Sequence, residues 1–186
     1  MKRGDKKGFT IIEVSLVLAI AGLIFLMIFI ALPALRRTQR DAARRDDMMS
    51  LLKEIKSYQT NNRGSLPMAK SNKDIVQWKT IGNPTATTWA GFFKNYMGEK
   101  FVDPDGSHYN LIVVKCTAAN VSDECVASEF PDLNNLSSKS FPYSDYSIVI
   151  VTQATCSGDK AVGVANPRKL AVLYRLEGAG VYCGNT

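Results

Sequence analysis

The chain has 186 residues, 46% of them hydrophobic, with 23 Lys and Arg against 17 Asp and Glu. A lone histidine, His108, rules out a His-based catalytic pair or zinc cluster within one subunit. With no nucleotide loop, no H-E-x-x-H and no G-x-S-x-G either, neither an enzyme nor a cofactor or metal protein is expected.

The first eight residues are basic: Lys2, Arg3, Lys6 and Lys7 stand against Asp5. Gly8-Phe9-Thr10-Ile11-Ile12-Glu13 then opens an apolar run with a carboxylate inside it. Val14–Leu35 carries no charge. As a helix it is about 33 Å long, enough to cross a bilayer. Glu13 at the leading edge costs about 2–3 kcal/mol at the hydrocarbon centre and less near the surface. Such an acid needs a named partner, and a cation created by processing is the candidate. An ordinary secretory signal peptide has a shorter apolar core and a small-residue cleavage site. Here Pro33-Ala34-Leu35 runs into Arg36-Arg37 instead. A plain single-span anchor is the other competing reading, and hydropathy alone does not separate it.

Lys6-Lys7-Gly8-Phe9-Thr10-Ile11-Ile12-Glu13 resembles the processing site of type IV prepilins and pseudopilins. The resemblance implies a cut between Gly8 and Phe9 by a prepilin peptidase and methylation of the new Phe9 amine. It implies that Glu13 pairs with a neighbouring subunit's N-terminal amine during assembly. Gly22 falls where many members carry glycine. Pro33 departs from the pattern, lying about one turn later than the usual helix proline. The leader supplies three of the six net positive charges, so the mature chain would carry +3. The basic leader favours a cytoplasmic N-terminus, but Arg36, Arg37, Arg40, Arg44 and Arg45 flank the other end. The resemblance, rather than the charge count, places the leader inside and the C-terminal domain outside. The implied protein is a single-pass cytoplasmic membrane subunit that becomes extracellular in surface pili. Its partners would be other pilin subunits and the pilus assembly machinery.

Beyond the span, Leu35–Gln59 has no Gly or Pro. Ala42, Met48, Met49, Leu52, Ile55 and Tyr58 or Gln59 recur at steps of three and four, an apolar stripe fit to pack on a sheet. Asn61-Asn62-Arg63-Gly64 is the stop signal, giving one helix about 80 Å long with Pro33 bending or loosening it. Arg37–Asp41 and Asp41–Arg45 are i,i+4 pairs. That charged stretch is either a solvated face or an intersubunit network using Arg37 and Arg40. Residues around Ile75, Val76 and Trp78 suggest a short helix or turn. Thr88–Met97 is a short helix whose aromatics belong to the core. Tyr109–Lys115, Tyr146–Thr152 and Leu170–Leu176 are strands, with Val181–Cys183 a short last one after the turn at Glu177–Gly180. Segments 117–145 and 157–169 are polar loops. His108 is expected exposed at a strand start. Asp103-Pro104-Asp105-Gly106 is a turn rather than a calcium loop.

The implied fold is α+β, the pilin fold. A long N-terminal helix, half transmembrane and half amphipathic, packs on a small antiparallel sheet of three to four strands. The chain would divide into a leader (1–8), an assembly helix (9–35), its amphipathic continuation (36–62) and a globular head (63–186). Cys116, Cys125, Cys156 and Cys183 allow three pairings, of which the sequential one is preferred. A crosslink closing the 156–183 loop gives about 3 kcal/mol. The resemblance likewise implies a disulfide-closed C-terminal region. Asn120-Val121-Ser122 and Asn135-Leu136-Ser137 are formal glycosylation sequons. A DNA-uptake pilin is the alternative from a different class. Its head would bind nucleic acid through Lys160, Arg168, Lys169 and Arg175 with Tyr174 and Tyr182. A minor pilin or secretion pseudopilin is the alternative within the family.

Overall fold

The computed structural model describes residues 8–70, 73–99, 101–117, 123–125, 147–178 and 180–186. Both sequons lie outside these residues. The chain divides into two compact units, Met1–Gln39 and Arg40–Thr186. Helix α1 is Ile11–Asn61, with Pro33 inside it. It ends where the sequence stops favouring helix. Arg63 and Gly64 take positive φ angles of 57° and 81°. The Gly64 amide donates to the Gln59 carbonyl at 2.6 Å, and the Asn62 side chain donates to the Tyr58 carbonyl at 2.8 Å. Carbonyls left open by the last turn are thereby satisfied.

In the second unit α1 buries Asp41, Arg44, Met48, Leu51, Leu52, Ile55 and Tyr58. Ala42 and Met49, expected on the stripe, are exposed. The true stripe begins on two charged residues, which hydropathy counts as outward-facing.

The head contains β1 (Lys73–Gln77), a 3₁₀ turn (Trp78–Thr80), α2 (Trp89–Phe92), a π-helical turn (Phe93–Met97), β2 (Asn110–Lys115) and β3 (Ser147–Thr152). A hairpin of β4 (Ala154–Ser157) and β5 (Lys160–Gly163) follows, then β6 (Leu170–Arg175) and β7 (Val181–Asn185). Five strands form one sheet in the order β1-β2-β3-β6-β7. The expected three to four antiparallel strands are therefore corrected twice. The fifth strand is β1, read from sequence as helix or turn. Its Ile75 and Val76 pair with Ile112 and Leu111. The sheet is also mixed, because β2 and β3 run parallel, with Leu111 opposite Ile148 and Val113 opposite Ile150. A parallel pair needs a long crossover, and the segment from Lys115 to Ser147 supplies the length.

The two sheet faces follow the period-two alternation of strands. Leu111, Val113, Ile148, Ile150, Val172 and Tyr174 face the α1 stripe, together with Trp89, Phe92 and Phe93. Ile112, Val114, Val149, Val151, Ala171 and Leu173 form a second core under the β4–β5 hairpin. That hairpin corrects the polar loop expected at 157–169. Its fully buried apolar residues are small (Ala154 and Ala161), too weak a signal for a strand reading. The disulfides Cys116–Cys125 and Cys156–Cys183 tie this layer down. Beside the first, the Cys125 amide donates to the Ala161 carbonyl at 2.9 Å, and the Gly163 amide to the Asp123 carbonyl at 2.9 Å. The second fastens β4 to the edge strand β7.

Candidate assembly segment and head anchor

Gly8, Phe9 and Thr10 precede α1, and all three are exposed. Thr10 and Glu13 form a capping box. The Thr10 amide and hydroxyl both donate to Glu13 Oε2 at 2.8 Å, and the Glu13 amide donates to Thr10 Oγ1 at 3.3 Å. Two amides that the first helical turn leaves open are satisfied this way. The signature Thr10-x-x-Glu13 stands in the sequence and gives Glu13 a role inside the chain besides the intersubunit one that the resemblance implies. Gly22 is exposed, and a Cβ built there meets nothing within 4 Å. Its lack of a side chain therefore serves no contact inside this chain. Pro33 is exposed within α1.

The apolar side chains of this segment have no cover. Phe9 is 91% exposed, Phe29 75% and Leu35 56%. Burying each large one is worth about 1.5–3 kcal/mol, so the segment calls for lipid or another protein surface. The profile of the prokaryotic N-terminal methylation motif matches residues 3–29. The chain carries the type IV prepilin signature. No characterised protein and no solved structure matches it. The apolar helix and the motif fit a membrane-anchored pilin. The pilin motif implies assembly with other pilin subunits and the prepilin peptidase machinery. The motif's family is structural rather than enzymatic.

The head is fastened to its own part of α1 by a buried ionic network. Arg44 grips Asp103 with two hydrogen bonds, Nε to Oδ2 at 2.6 Å and Nη2 to Oδ1 at 2.9 Å. Its Nη1 reaches Glu177 Oε1 at 2.7 Å and Asp41 Oδ1 at 3.4 Å. The Arg44 side chain is 5% exposed and that of Asp103 0%. Arg40 makes a second fork, Nε and Nη2 donating to Glu177 at 2.9 and 2.6 Å. Asp41 accepts the Glu177 and Gly178 amides, both at 2.9 Å, rather than facing Arg37 and Arg45 as expected. Tyr174 donates its hydroxyl to Asp103 at 3.1 Å, and Tyr109 donates to Asp47 at 2.8 Å.

The electrostatics follow from these bonds. The hydrogen bonds from Arg40 hold Glu177 down at about 2, and Arg44 adds to the effect. The Asp103 carboxylate raises Arg44, while burial raises Tyr109, Tyr174 and Asp47. Such paired and hydrogen-bonded charges hold together only as a set, since removing one leaves a buried charge unmatched. Asp41, Arg44, Asp103 and Glu177 were missed as a site. The available signal was helical phase: Arg44 and Asp41 continue the Met48, Leu51, Ile55 stripe backwards in steps of three and four.

Other candidates fall into place around this anchor. The Asp103–Gly106 segment is a turn, with the Gly106 amide on the Asp103 carbonyl at 2.8 Å and Gly106 at φ 89°. Asp103 is committed to Arg44, and no metal-holding group of three or more His, Cys, Asp or Glu occurs among the described residues. His108, expected exposed, is partly buried and stacked on Trp78. Of the residues expected to contact nucleic acid, three have partners or cover within the chain. Tyr174 is fully buried, Lys160 pairs with Glu124, and Lys169 donates to the Thr186 carbonyl.

Proposed function

We propose that this chain is a structural subunit of a type IV pilus-like filament, serving surface attachment or motility. The reading is carried by one observation: the uncovered apolar surface of Phe9–Leu35 lies directly within and behind the methylation motif. The leader is cut after Gly8 on the cytoplasmic side, Phe9 is methylated, and the head lies outside. Before assembly the apolar helix is solvated by lipid. In the filament the same helices pack on one another, so lipid contact is exchanged for protein contact and packing geometry decides the register. Glu13 supplies that register. The capping box uses Oε2, while Oε1 makes no hydrogen bond among the described residues and is offered to a neighbour's N-terminal ammonium. Two opposite charges in apolar surroundings are tolerated only together. Gly22 permits close helix approach, Pro33 adjusts the helix path, and Arg37 adds charge contacts between subunits, whereas Arg40, expected to share that role, is held by Glu177 of its own head.

Gly8→Leu tests the processing step. The variant is expected to accumulate uncut in the membrane fraction and to give no surface filaments. Normal cleavage and filament yield would contradict the assignment. A minor pilin or secretion pseudopilin would share the assembly segment, and the subunit's abundance in sheared filaments separates those cases.

A further inference from the structure

Arginines and no lysine follow the uncharged span: Arg36, Arg37, Arg40, Arg44 and Arg45 come first, and the next lysine is Lys53. Such cations are ordinarily concentrated on the cytoplasmic side of a span, so a cluster at the outer end calls for partners. The head supplies them for two. Arg40 is forked on Glu177, and Arg44 on Asp103. Arg36 and Arg37 are both exposed, and neither makes a hydrogen bond or an ion pair among the described residues. The helix itself offers them no acid. At steps of three and four, Arg36 has Leu32, Pro33, Gln39 and Arg40. Arg37 has Asp41, but that carboxylate is taken by the Glu177 and Gly178 amides and by Arg44.

The pair adjoins the apolar segment, whose last large side chains, Leu32 and Leu35, are uncovered. A ligand that satisfies both features carries an anion beside hydrocarbon. Guanidinium groups present a flat fork of donors that matches two phosphate oxygens with parallel bonds, and they stay charged throughout the physiological range. An uncharged span of this length ends where the phosphates of a bilayer begin. The long arginine stem lets the fork reach them while its methylenes lie on hydrocarbon. Consecutive positions on a helix are about 100° apart, so the two forks serve adjoining sides of α1.

We infer that Arg36 and Arg37 form a binding site for anionic phospholipid at the outer end of the span. Each fork takes a lipid phosphate, and Leu32 and Leu35 lie against the acyl chains. The pair holds the subunit at a fixed depth until assembly, when Arg37 exchanges lipid phosphate for a neighbouring subunit. This inference rests on the proposed membrane-anchored state.

The test uses the full-length chain in phosphatidylcholine vesicles that carry a trace of spin-labelled phosphatidylglycerol or spin-labelled phosphatidylcholine. Electron paramagnetic resonance separates lipid restricted by the protein from free lipid. Wild-type protein is expected to prefer phosphatidylglycerol, and Arg36→Gln with Arg37→Gln to lower that preference at least about twofold, since each cation at the surface is worth up to about fivefold per contacting anionic lipid. The basic leader is the same in both proteins, so the difference belongs to the pair. Arg45→Gln, at an exposed position more than two turns further along α1, is expected to leave the preference unchanged. Excess free glycerol phosphate is expected to leave it unchanged as well. Restricted lipid with equal preference for the two labels, an unchanged preference in the double variant, an equal drop in Arg45→Gln, or displacement by free glycerol phosphate would overturn the lipid site alone. Absence of restricted lipid with either label would overturn the membrane-anchored reading together with it.

Discussion

At the scale of residues, two carboxylates do different work, and substitution separates their roles. Glu13 caps α1 through Thr10, and its second oxygen makes no hydrogen bond among the described residues. Glu13→Ala loses both roles, whereas Glu13→Gln keeps an oxygen that can accept the cap but has no charge. Both variants are expected to be cleaved and membrane-inserted yet to give few filaments. Normal pilus yield from Glu13→Gln would show that the cap, not the charge, is what assembly needs. Glu177 is an exposed-edge acid held at about 2 by Arg40 and Arg44, against an ordinary value of 4.5. A depressed carboxylate stabilises the fold above its unfolded pKa, and that stability is lost as protons bind the folded form. Between about pH 5 and pH 2 the head is therefore expected to lose stability, and Glu177→Gln to flatten that part of the profile. Equal slopes in denaturant midpoint against pH for the two proteins would remove Glu177 from the account. Arg44→Met leaves Asp103 buried without its cation and is expected to destabilise the head by about 3–5 kcal/mol. Chemical denaturation of the full chain in micelles measures it, and a loss below about 1 kcal/mol would contradict the buried-pair reading. These residues show where sequence reasoning stopped. A hydropathy stripe through Ala42 and Met49 is out of phase with one through Asp41 and Arg44. Charged side chains count as solvent-facing until a partner distant in sequence, here Asp103 or Glu177, is known.

At the scale of elements, α1 was legible because its signals agree: an uncharged span, strong helix formers, and a Gly64 stop. β2, β3 and β6 were legible as strands because Val, Ile and Leu crowd them. Their neighbours were not. Leu111–Val114 and Ile148–Val151 are unbroken apolar runs buried on both faces, which is the mark of a sheet covered on both sides. The parallel pairing is written in that pattern and in the long connection, where an antiparallel sheet is the simpler expectation. β1 was hidden by its brevity and by Lys73 and Asp74 at its start. The hairpin β4–β5 was hidden by its Gly and Ser content. Cys156–Cys183 fixes this hairpin to β7, so replacing both cysteines by serine is expected to cost about 2–5 kcal/mol. Reduction of the wild-type protein, which opens Cys116–Cys125 as well, is expected to cost at least as much, and unchanged denaturation midpoints in both experiments would count against the staple. The charged face of α1 also divides by role. Arg40 is held by Glu177, so Arg40→Glu should weaken the head by setting two acids together. Arg37→Glu should lower filament yield and leave head unfolding unchanged, and full pilus yield from that variant would remove Arg37 from assembly.

At the scale of the whole molecule, the methylation motif and the uncovered apolar segment stand at one end of the sequence, and a disulfide-tied α+β head makes up the rest. The motif occupies few residues, but they are the ones on which processing and assembly chemistry act. The head's ionic anchor is built from residues far apart in sequence, which is why the motif is legible in the sequence and the anchor is not. The central claim is that the processed chain builds a filament through its N-terminal helix. The most direct test is the intact mass and N-terminal sequence of the main protein in sheared surface filaments. The account predicts a chain that begins at methylated Phe9 and is about four hydrogens lighter than its reduced form, from two disulfides. An uncut chain confined to the membrane fraction would contradict it and leave a simple anchored domain.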